Sequence, residues 1–141
     1  MGVSAESVVR NFLAAWRDPK ADELASYLAE DAVWVDGPNG VHIGAPAFVA
    51  ELMNQMTIPR DFWMEIDTLL ASHDTVMVEW HGGMTIGSAS VNAKVMAVFE
   101  VDATGRITQM RESFDMKSLV DQFAPEPEWR AEQRVDGRHT R

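Results

Sequence analysis

Residues 95–115 read VMAVFEVDATGRITQMRESFD and predict two β-strands joined by a tight turn. The first arm, Val95–Val101, is rich in β-branched and aromatic residues, and the second, Arg106–Phe114, alternates in polarity. The turn between them, Asp102–Gly105, ends in a glycine, which readily adopts the positive φ that such a turn needs. Because side chains alternate across a strand, one face of the second arm carries Thr108, Met110, Glu112 and Phe114.

Glu112 is the unusual member of that face, because it lies between Met110 and Phe114 where side chains are expected to point inward. A carboxyl group in an apolar pocket is desolvated, which raises its pKa and suits it to give or take a proton near neutral pH. The same position also fits a glutamate at the end of a sheet or one paired with an arginine. Both interpretations are open at this point.

The length, composition and charge of the chain indicate its class and limit the kinds of partner that it can bind. A chain of 141 residues with 46% hydrophobic and 24% charged residues is typical of one globular domain with a real core. The formal net charge of −10 argues against nucleic acid or an anionic membrane as a partner. The chain has no cysteine, which excludes disulfides, thiolate zinc sites and thiol nucleophiles.

The start of the chain, MGVSAESVVR, does not resemble a signal peptide, and the sequence has no 18-residue apolar run. A cytoplasmic location is therefore expected.

Apolar residues at helical spacing predict three helices in the first half, at residues 5–17, Ala21–Ala29 and Ala45–Met56. Short strands are predicted at Ala32–Asp36 and Val41–Ile43. The second half predicts longer strands at Phe62–Leu70, Thr75–Met84 and Ser90–Val101, followed by the closing strand Arg106–Phe114. A short helix, Met116–Phe123, is expected after them.

Helices followed by meandering strands predict an α+β domain over residues 1–123. We expect a cone-shaped, curved and mainly antiparallel sheet wrapped around three N-terminal helices and enclosing an apolar pocket. Residues 124–141 are polar and interrupted by proline, so a flexible tail is expected. Apolar residues such as Met96 and Val98 also lie on the outer face of the sheet, which predicts a homodimer through that face.

Asp36 is the second candidate for chemistry, because it ends a short apolar strand just before a Gly-Pro turn. It can be a turn-initiating aspartate that binds local backbone amides. It can also be a general base at the mouth of the pocket, shielded from water by Trp34 two residues earlier. The candidate substrate-binding walls of the pocket, each equally explained as plain core, are Phe12, Trp16, Trp34, Met64, Trp80, Met84, Val95, Met110 and Phe114.

Motifs for other chemistry are absent from the sequence. His42 and His81 are interpreted as isolated, so no metal site is expected. The sequence contains no phosphate-binding glycine loop, serine nucleophile elbow or dinucleotide fingerprint, and no cofactor is expected.

The order of elements over residues 5–123 resembles the nuclear transport factor 2-like superfamily. Within it, FEVDATGRITQMRESFD at residues 99–115 resembles the closing hairpin of the branch that holds limonene-1,2-epoxide hydrolases, SnoaL-like polyketide cyclases and ketosteroid isomerases. The resemblance implies the α+β cone and a pocket for a hydrophobic small molecule. The resemblance does not identify the reaction, because proteins of this fold catalyse many different reactions.

Compared with the epoxide hydrolases, the chain keeps one acidic residue and lacks an arginine–aspartate pair. The acidic residue of their last strand matches Glu112. Their Arg and Asp, two apart on a middle strand, fall on Trp80 and Gly82, and their Tyr and Asn on the first strand fall on Trp34 and Asp36. Their two-carboxylate hydrolysis therefore cannot be carried over unchanged.

Ketosteroid isomerases and polyether cyclases carry an Asp on the first strand, and Asp36 in EDAVWVDGPNG takes that place. The isomerases' oxyanion donors, a Tyr and a late-strand Asp, fall on Phe12 and Ala97, so that oxyanion hole is lost. The polyether cyclases add a Glu, for which Glu65 is the nearby candidate. Its place in the alternation, opposite Met64 and Ile66, predicts that it faces away from the pocket.

Three functions remain open. The first is a cofactor-free acid–base enzyme with Asp36 and Glu112 as its pair, carrying out cyclisation, isomerisation or epoxide opening on a polyketide- or terpenoid-like substrate. The second is an epoxide hydrolase with a rearranged active site. The third is a non-catalytic dimeric module that binds a small molecule.

Overall fold

The computed structural model describes residues 3–123, and the predicted tail lies outside the described residues. The helices are α1 (Ala5–Ala14), α2 (Ala21–Ser26), α3 (Ala45–Thr57) and α4 (Met116–Asp121). The strands are β1 (Leu28–Asp36), β2 (Val41–Ile43), β3 (Arg60–Ser72), β4 (Thr75–Ile86), β5 (Ala89–Val101) and β6 (Ile107–Ser113). None of the helices within these residues is long and apolar enough to cross a membrane.

The six strands form one curved, open sheet in the order β2-β1-β6-β5-β4-β3. Every neighbouring pair is antiparallel except β1 and β6, which run parallel. The helices and the curved sheet confirm the predicted α+β cone. The parallel pairing is the feature that the sequence did not predict.

Helix α1 anchors the sheet through one apolar face. It begins at Ser4, whose hydroxyl accepts a hydrogen bond from the backbone N–H of Ser7 at 3.1 Å. Phe12 is fully buried and its ring meets those of Tyr27, Phe48 and Phe99 edge-on, with centroids 5.8 to 6.2 Å apart. Such edge-to-face contacts fix the helix against the inside of the sheet.

The second helix was predicted to reach Ala29 but ends at Ser26. The reason is tertiary: the backbone N–H of Ile107 donates to the carbonyl oxygen of Tyr27 at 2.8 Å, and Leu28 pairs with Ile107. The chain therefore joins the sheet there, and Leu28 is buried in a strand instead of in a helix.

The outer face of the sheet exposes large apolar side chains, among them Leu70, Met77 and Met96. Their exposure agrees with the reasoning that led to the predicted homodimer. The dimer itself stays a prediction.

Gly82 allows β3 and β4 to approach more closely than any side chain would permit. A Cβ atom at this position would lie 2.4 Å from the carbonyl oxygen of Trp63 and 3.2 Å from the Cα atom of Met64. Both are backbone atoms, so neither can rotate away. The middle of β4 is therefore built on glycine for a steric reason.

We predict that Gly82→Ala destabilises the protein. The added methyl group must push β3 and β4 apart, at a cost of about 1–3 kcal/mol in unfolding free energy. Urea denaturation monitored by circular dichroism measures this. A stabilising effect, as expected when alanine replaces glycine at an unstrained extended position, would contradict the close approach.

Candidate active site

A cavity of about 300 Å³ lies inside the cone, between the sheet, α3 and α4. Its wall is mostly apolar. Six of the predicted wall residues line it, namely Trp16, Trp34, Trp80, Met84, Val95 and Phe114. Asp36 and Glu112 line the same cavity, so the structure brings both candidate carboxyl groups to one place.

The other three predicted wall residues, Phe12, Met64 and Met110, are buried in the hydrophobic core and do not line the cavity. Phe12 is enclosed by aromatic rings. Met110 is level with Trp34 on one side and Phe99 on the other. Alternation places Met64 and Met110 on the inner face of the sheet, but the packing of neighbouring side chains decides whether a residue on that face lines the cavity or lies in the core.

Asp36 and Glu112 are side by side because of the parallel pairing of β1 with β6. The register sets Asp36 directly opposite Glu112. Neighbouring strands lie about 4.8 Å apart, and residues in register on them point to the same face. Both carboxyl groups are buried, with 1% of Asp36 and 8% of Glu112 exposed.

Asp36 is held by polar contacts from two other elements. The side-chain amide of Gln55, on α3, donates to its Oδ2 at 2.8 Å, and Nε2 of His42, on β2, lies 3.3 Å from the same oxygen. Burial raises the pKa of Asp36 above its ordinary value, while the contacts from Gln55 and His42 lower it in part. Hydrogen bonds of this kind favour the ionised carboxylate.

Glu112 is in a more apolar environment. Its one side-chain partner among the described residues is Trp34, whose indole N–H donates to Oε1 at 2.7 Å. Burial, opposed by that hydrogen bond and assisted by the charge of Asp36, raises the pKa of Glu112 to about 8. Glu112 therefore carries a proton at neutral pH, and with Oε1 accepting from Trp34 that proton is placed on Oε2.

The two carboxyl groups thus favour opposite protonation states. Asp36 has polar partners that lower its pKa in part, whereas burial is the main cause that raises the pKa of Glu112, and the nearby Asp36 carboxylate adds to it. Two like charges at this separation are unfavourable in a site that excludes water. A base and an acid that act at the same pH need such a difference in surroundings.

Sequence reasoning missed two of the residues that shape this site. His42 was interpreted as isolated, but the β1–β2 hairpin sets it opposite Trp34, and the two rings pack with centroids 4.9 Å apart. The short Gly-Pro loop between the strands was the signal for that hairpin. Gln55 had no local signal, since its contact with Asp36 depends on how α3 packs.

Trp34 makes a contact that the sequence did not predict, because its indole N–H donates to Oε1 of Glu112. Its expected shielding of Asp36 stays a prediction. Glu65 is exposed, outside the cavity, as its alternation predicted. His81 is not isolated either: its Nδ1 lies 2.8 Å from Oδ1 of Asp67 and its Nε2 3.6 Å from Oε2 of Glu65.

Residues 3–123 hold no group of three or more histidine, aspartate or glutamate side chains placed to bind a metal ion.

Trp80 lines the cavity where the resembled hydrolases have arginine, and the backbone contact at Gly82 leaves no space for an aspartate two residues later. Ala97 is directly opposite Glu112 and supplies no polar group.

Known structures of this fold include several enzymes. An epoxide hydrolase of M. tuberculosis, described as similar to limonene epoxide hydrolase, is 28% identical, with a TM-score of 0.72 over 84% of this chain and 87% of that one. SalBIII, an epoxide hydrolase/cyclase-like enzyme in pyran ring formation of the polyether salinomycin, is 21% identical, with a TM-score of 0.72 over 81% and 92%.

A hypothetical protein of Catenulispora acidiphila with a ketosteroid isomerase-like fold is 19% identical, with a TM-score of 0.73 over 82% of this chain and 90% of that one. No curated protein sequence is significantly similar to this chain. The model of the SnoaL-like domain matches residues 9–110, which is most of the chain. This match shows that the chain belongs to the SnoaL-like domain family.

Proposed function

We propose that this protein is an acid–base enzyme acting on a hydrophobic small molecule, with Asp36 as the base and Glu112 as the acid. The observation that carries the proposal is the pairing of the two buried carboxyl groups in register, in surroundings that favour opposite protonation states. A base and an acid that act together on one substrate are what concerted proton transfer needs. Proton transfer between such groups requires no cofactor.

The reaction that this pair supports best is the opening of an epoxide by an oxygen nucleophile. Asp36 removes the proton from a hydroxyl group as its oxygen bonds to an epoxide carbon. The carbon–oxygen bond of the epoxide breaks, and Glu112 donates its proton to the released oxygen. A proton then returns from Asp36 to Glu112, which has the higher affinity for it.

The cavity restricts the substrate by size and polarity. Its volume of about 300 Å³ is at the small end of ligand sites in proteins, and its wall is mainly aromatic and aliphatic. A polyketide- or terpenoid-like skeleton that carries a few oxygen atoms matches this surface. Isomerisation of such a substrate by the same two groups belongs to the same proposal.

The nucleophile distinguishes two versions of the proposal. With a hydroxyl group of the substrate the reaction is a cyclisation, and with water it is epoxide hydrolysis. The 28% identity to an epoxide hydrolase supports hydrolysis, with water as the nucleophile, as a second candidate function. In that case Asp36 alone activates the water, because Trp80 and Gly82 replace the arginine–aspartate pair of the resembled hydrolases.

A panel of apolar epoxides and hydroxy-epoxides tests this function, with product analysis in ¹⁸O-labelled water. Incorporation of the label indicates hydrolysis, and its absence from a ring-closed product indicates cyclisation. Binding of these compounds without turnover would favour a non-catalytic binding module and contradict the proposed enzyme.

We predict that Asp36→Asn lowers kcat by about 10²- to 10⁴-fold on a substrate so identified, because the variant keeps the shape but loses the base.

Glu112→Gln is expected to lower kcat to a similar extent. In the wild type, kcat/KM falls above about pH 8 as Glu112 ionises, and Glu112→Gln removes that decline from the residual activity. Steady-state kinetics across pH measures both effects.

The matched control is Glu65→Gln, because Glu65 is a carboxylate of the same sheet with an exposed side chain outside the cavity. Its kcat and pH profile are expected to equal those of the wild type. Wild-type turnover by Asp36→Asn would show that Asp36 is not the base.

The raised pKa of Glu112 also predicts how stability depends on pH. Between pH 4.5 and about 8 the unfolded chain releases the Glu112 proton while the folded protein keeps it, so rising pH favours unfolding. The contribution approaches about 1.4 kcal/mol per pH unit within that window, and it is absent from Glu112→Gln. Urea denaturation at pH 5 and pH 8 measures the unfolding free energy of the wild type and of Glu112→Gln. If the difference between the two proteins is the same at both pH values, a protonated Glu112 is contradicted.

A further inference from the structure

The cavity extends lengthwise along strand β5, with the carboxyl pair near one end. Val91, Ala93 and Val95 alternate along β5 and all line the cavity, so they form one continuous apolar floor. Glu112 is directly opposite Ala97, the next residue of the same face. Val91 lies six positions before Ala97, a path of about 20 Å along an extended strand. The carboxyl groups therefore occupy one end of a long apolar surface.

The opposite end of the cavity is bordered by apolar side chains that are open to solvent. Ile86, Val120 and Phe123 all line the cavity, yet they are 40%, 55% and 45% exposed. We call these three residues the apolar rim. A side chain that lines a cavity and also meets solvent marks an opening, so the rim borders an entrance to the cavity.

Hydrogen bonds and strand register hold the rim residues at that end. Ile86 is in register with Ala89, near the start of β5. The other two rim residues flank Gln122, whose side-chain amide donates to the carbonyl oxygen of Asn92 at 2.7 Å and accepts from its backbone N–H at 2.8 Å. Strand β6 ends at Ser113, opposite a later residue of β5, so Gln122 binds β5 beyond the reach of β6. The end of the chain segment after α4 is thereby fixed on the Ile86 side of the cavity.

The charged and amide side chains of the cavity wall belong to the other end. Gln55 binds Asp36, Asn39 is in the short turn that directly follows Asp36, and Asp36 is in register with Glu112. The cavity thus has a polar end for an oxygenated group and an apolar end that opens to water. Exposed apolar side chains that continue a cavity are typical of a surface that a ligand covers.

We propose that the apolar rim is a specificity site for the hydrocarbon tail of an elongated substrate whose oxygenated, reacting end lies at the carboxyl pair. The inference rests on the proposed function in taking this cavity as the substrate site, and it narrows the class of substrate. A compact ring system leaves the rim in water, whereas a long alkyl or isoprenoid chain covers it. Each methylene group that the rim removes from water increases the affinity by about fourfold.

Three linear alcohols, 1-hexanol, 1-octanol and 1-undecanol, test the site in the full-length protein. They contain no epoxide, so their binding does not depend on catalysis. Their dissociation constants are measured through the fluorescence of the tryptophans in the cavity wall. We expect the affinity of the wild type to rise throughout the series.

Variants of the rim separate its contribution from that of the inner cavity. In Phe123→Ser the advantage of 1-undecanol over 1-hexanol, as a ratio of dissociation constants, is expected to fall by about tenfold, and Ile86→Ser should act similarly from the other side. The binding of 1-hexanol should stay within about twofold of the wild type. Met77→Ser is the matched control, because Met77 is an apolar residue of the same strand that is 57% exposed on the outer face, and it should keep the wild-type ratio.

A ratio that is unchanged in both rim variants would overturn the proposal and would favour a protein surface as the partner of the rim. An affinity of the wild type that stops rising between 1-octanol and 1-undecanol would overturn it too, as would no binding of any of the three alcohols up to their solubility limits. Circular dichroism checks that each variant folds, and the wild-type series decides alone if a rim variant does not. Since the alcohols report binding and the kinetic tests of Asp36 and Glu112 report turnover, the two proposals fail independently.

Discussion

The parallel pairing of β1 with β6 is the constraint on which the candidate site depends. It sets Asp36 level with Glu112 and directs both side chains into the same apolar cavity. In this sheet the other neighbouring strands are antiparallel, so the pairing occurs once, where the first and last strands meet. Two carboxyl groups from the first and the last strand thereby become neighbours in a site that neither strand could form alone.

The two buried carboxyl groups differ in the polar contacts that surround them. Gln55 and His42 support a charge on Asp36, and Trp34 offers Glu112 a single N–H in apolar surroundings. The two carboxyl groups have these different surroundings although the arginine–aspartate pair of the resembled hydrolases is absent. Glycine at position 82 permits a backbone contact that excludes any side chain, so the β4 part of the wall presents apolar residues such as Trp80 and Met84.

The sequence predicted most of the fold, because alternation and helical spacing are local properties. It also singled out Asp36 and Glu112, since a carboxyl group on an apolar face is visible in one strand. It did not predict that β1 and β6 run parallel, that Leu28 joins the sheet, or that Gln55 meets Asp36. Those contacts depend on how distant segments pack. For the same reason alternation could not separate Trp80, in the cavity wall, from Met110, in the core.

The central claim is that Glu112 keeps its proton because it is buried beside a charged Asp36. Carboxyl ¹³C NMR of the selectively labelled protein measures this directly, as a titration of the Glu112 signal in the wild type and in Asp36→Asn. The account predicts a pKa of about 8 in the wild type and a lower pKa in the variant, where the neighbouring charge is gone. A Glu112 that titrates near its ordinary value of 4.5 in the wild type, or a pKa that does not fall in Asp36→Asn, would contradict it.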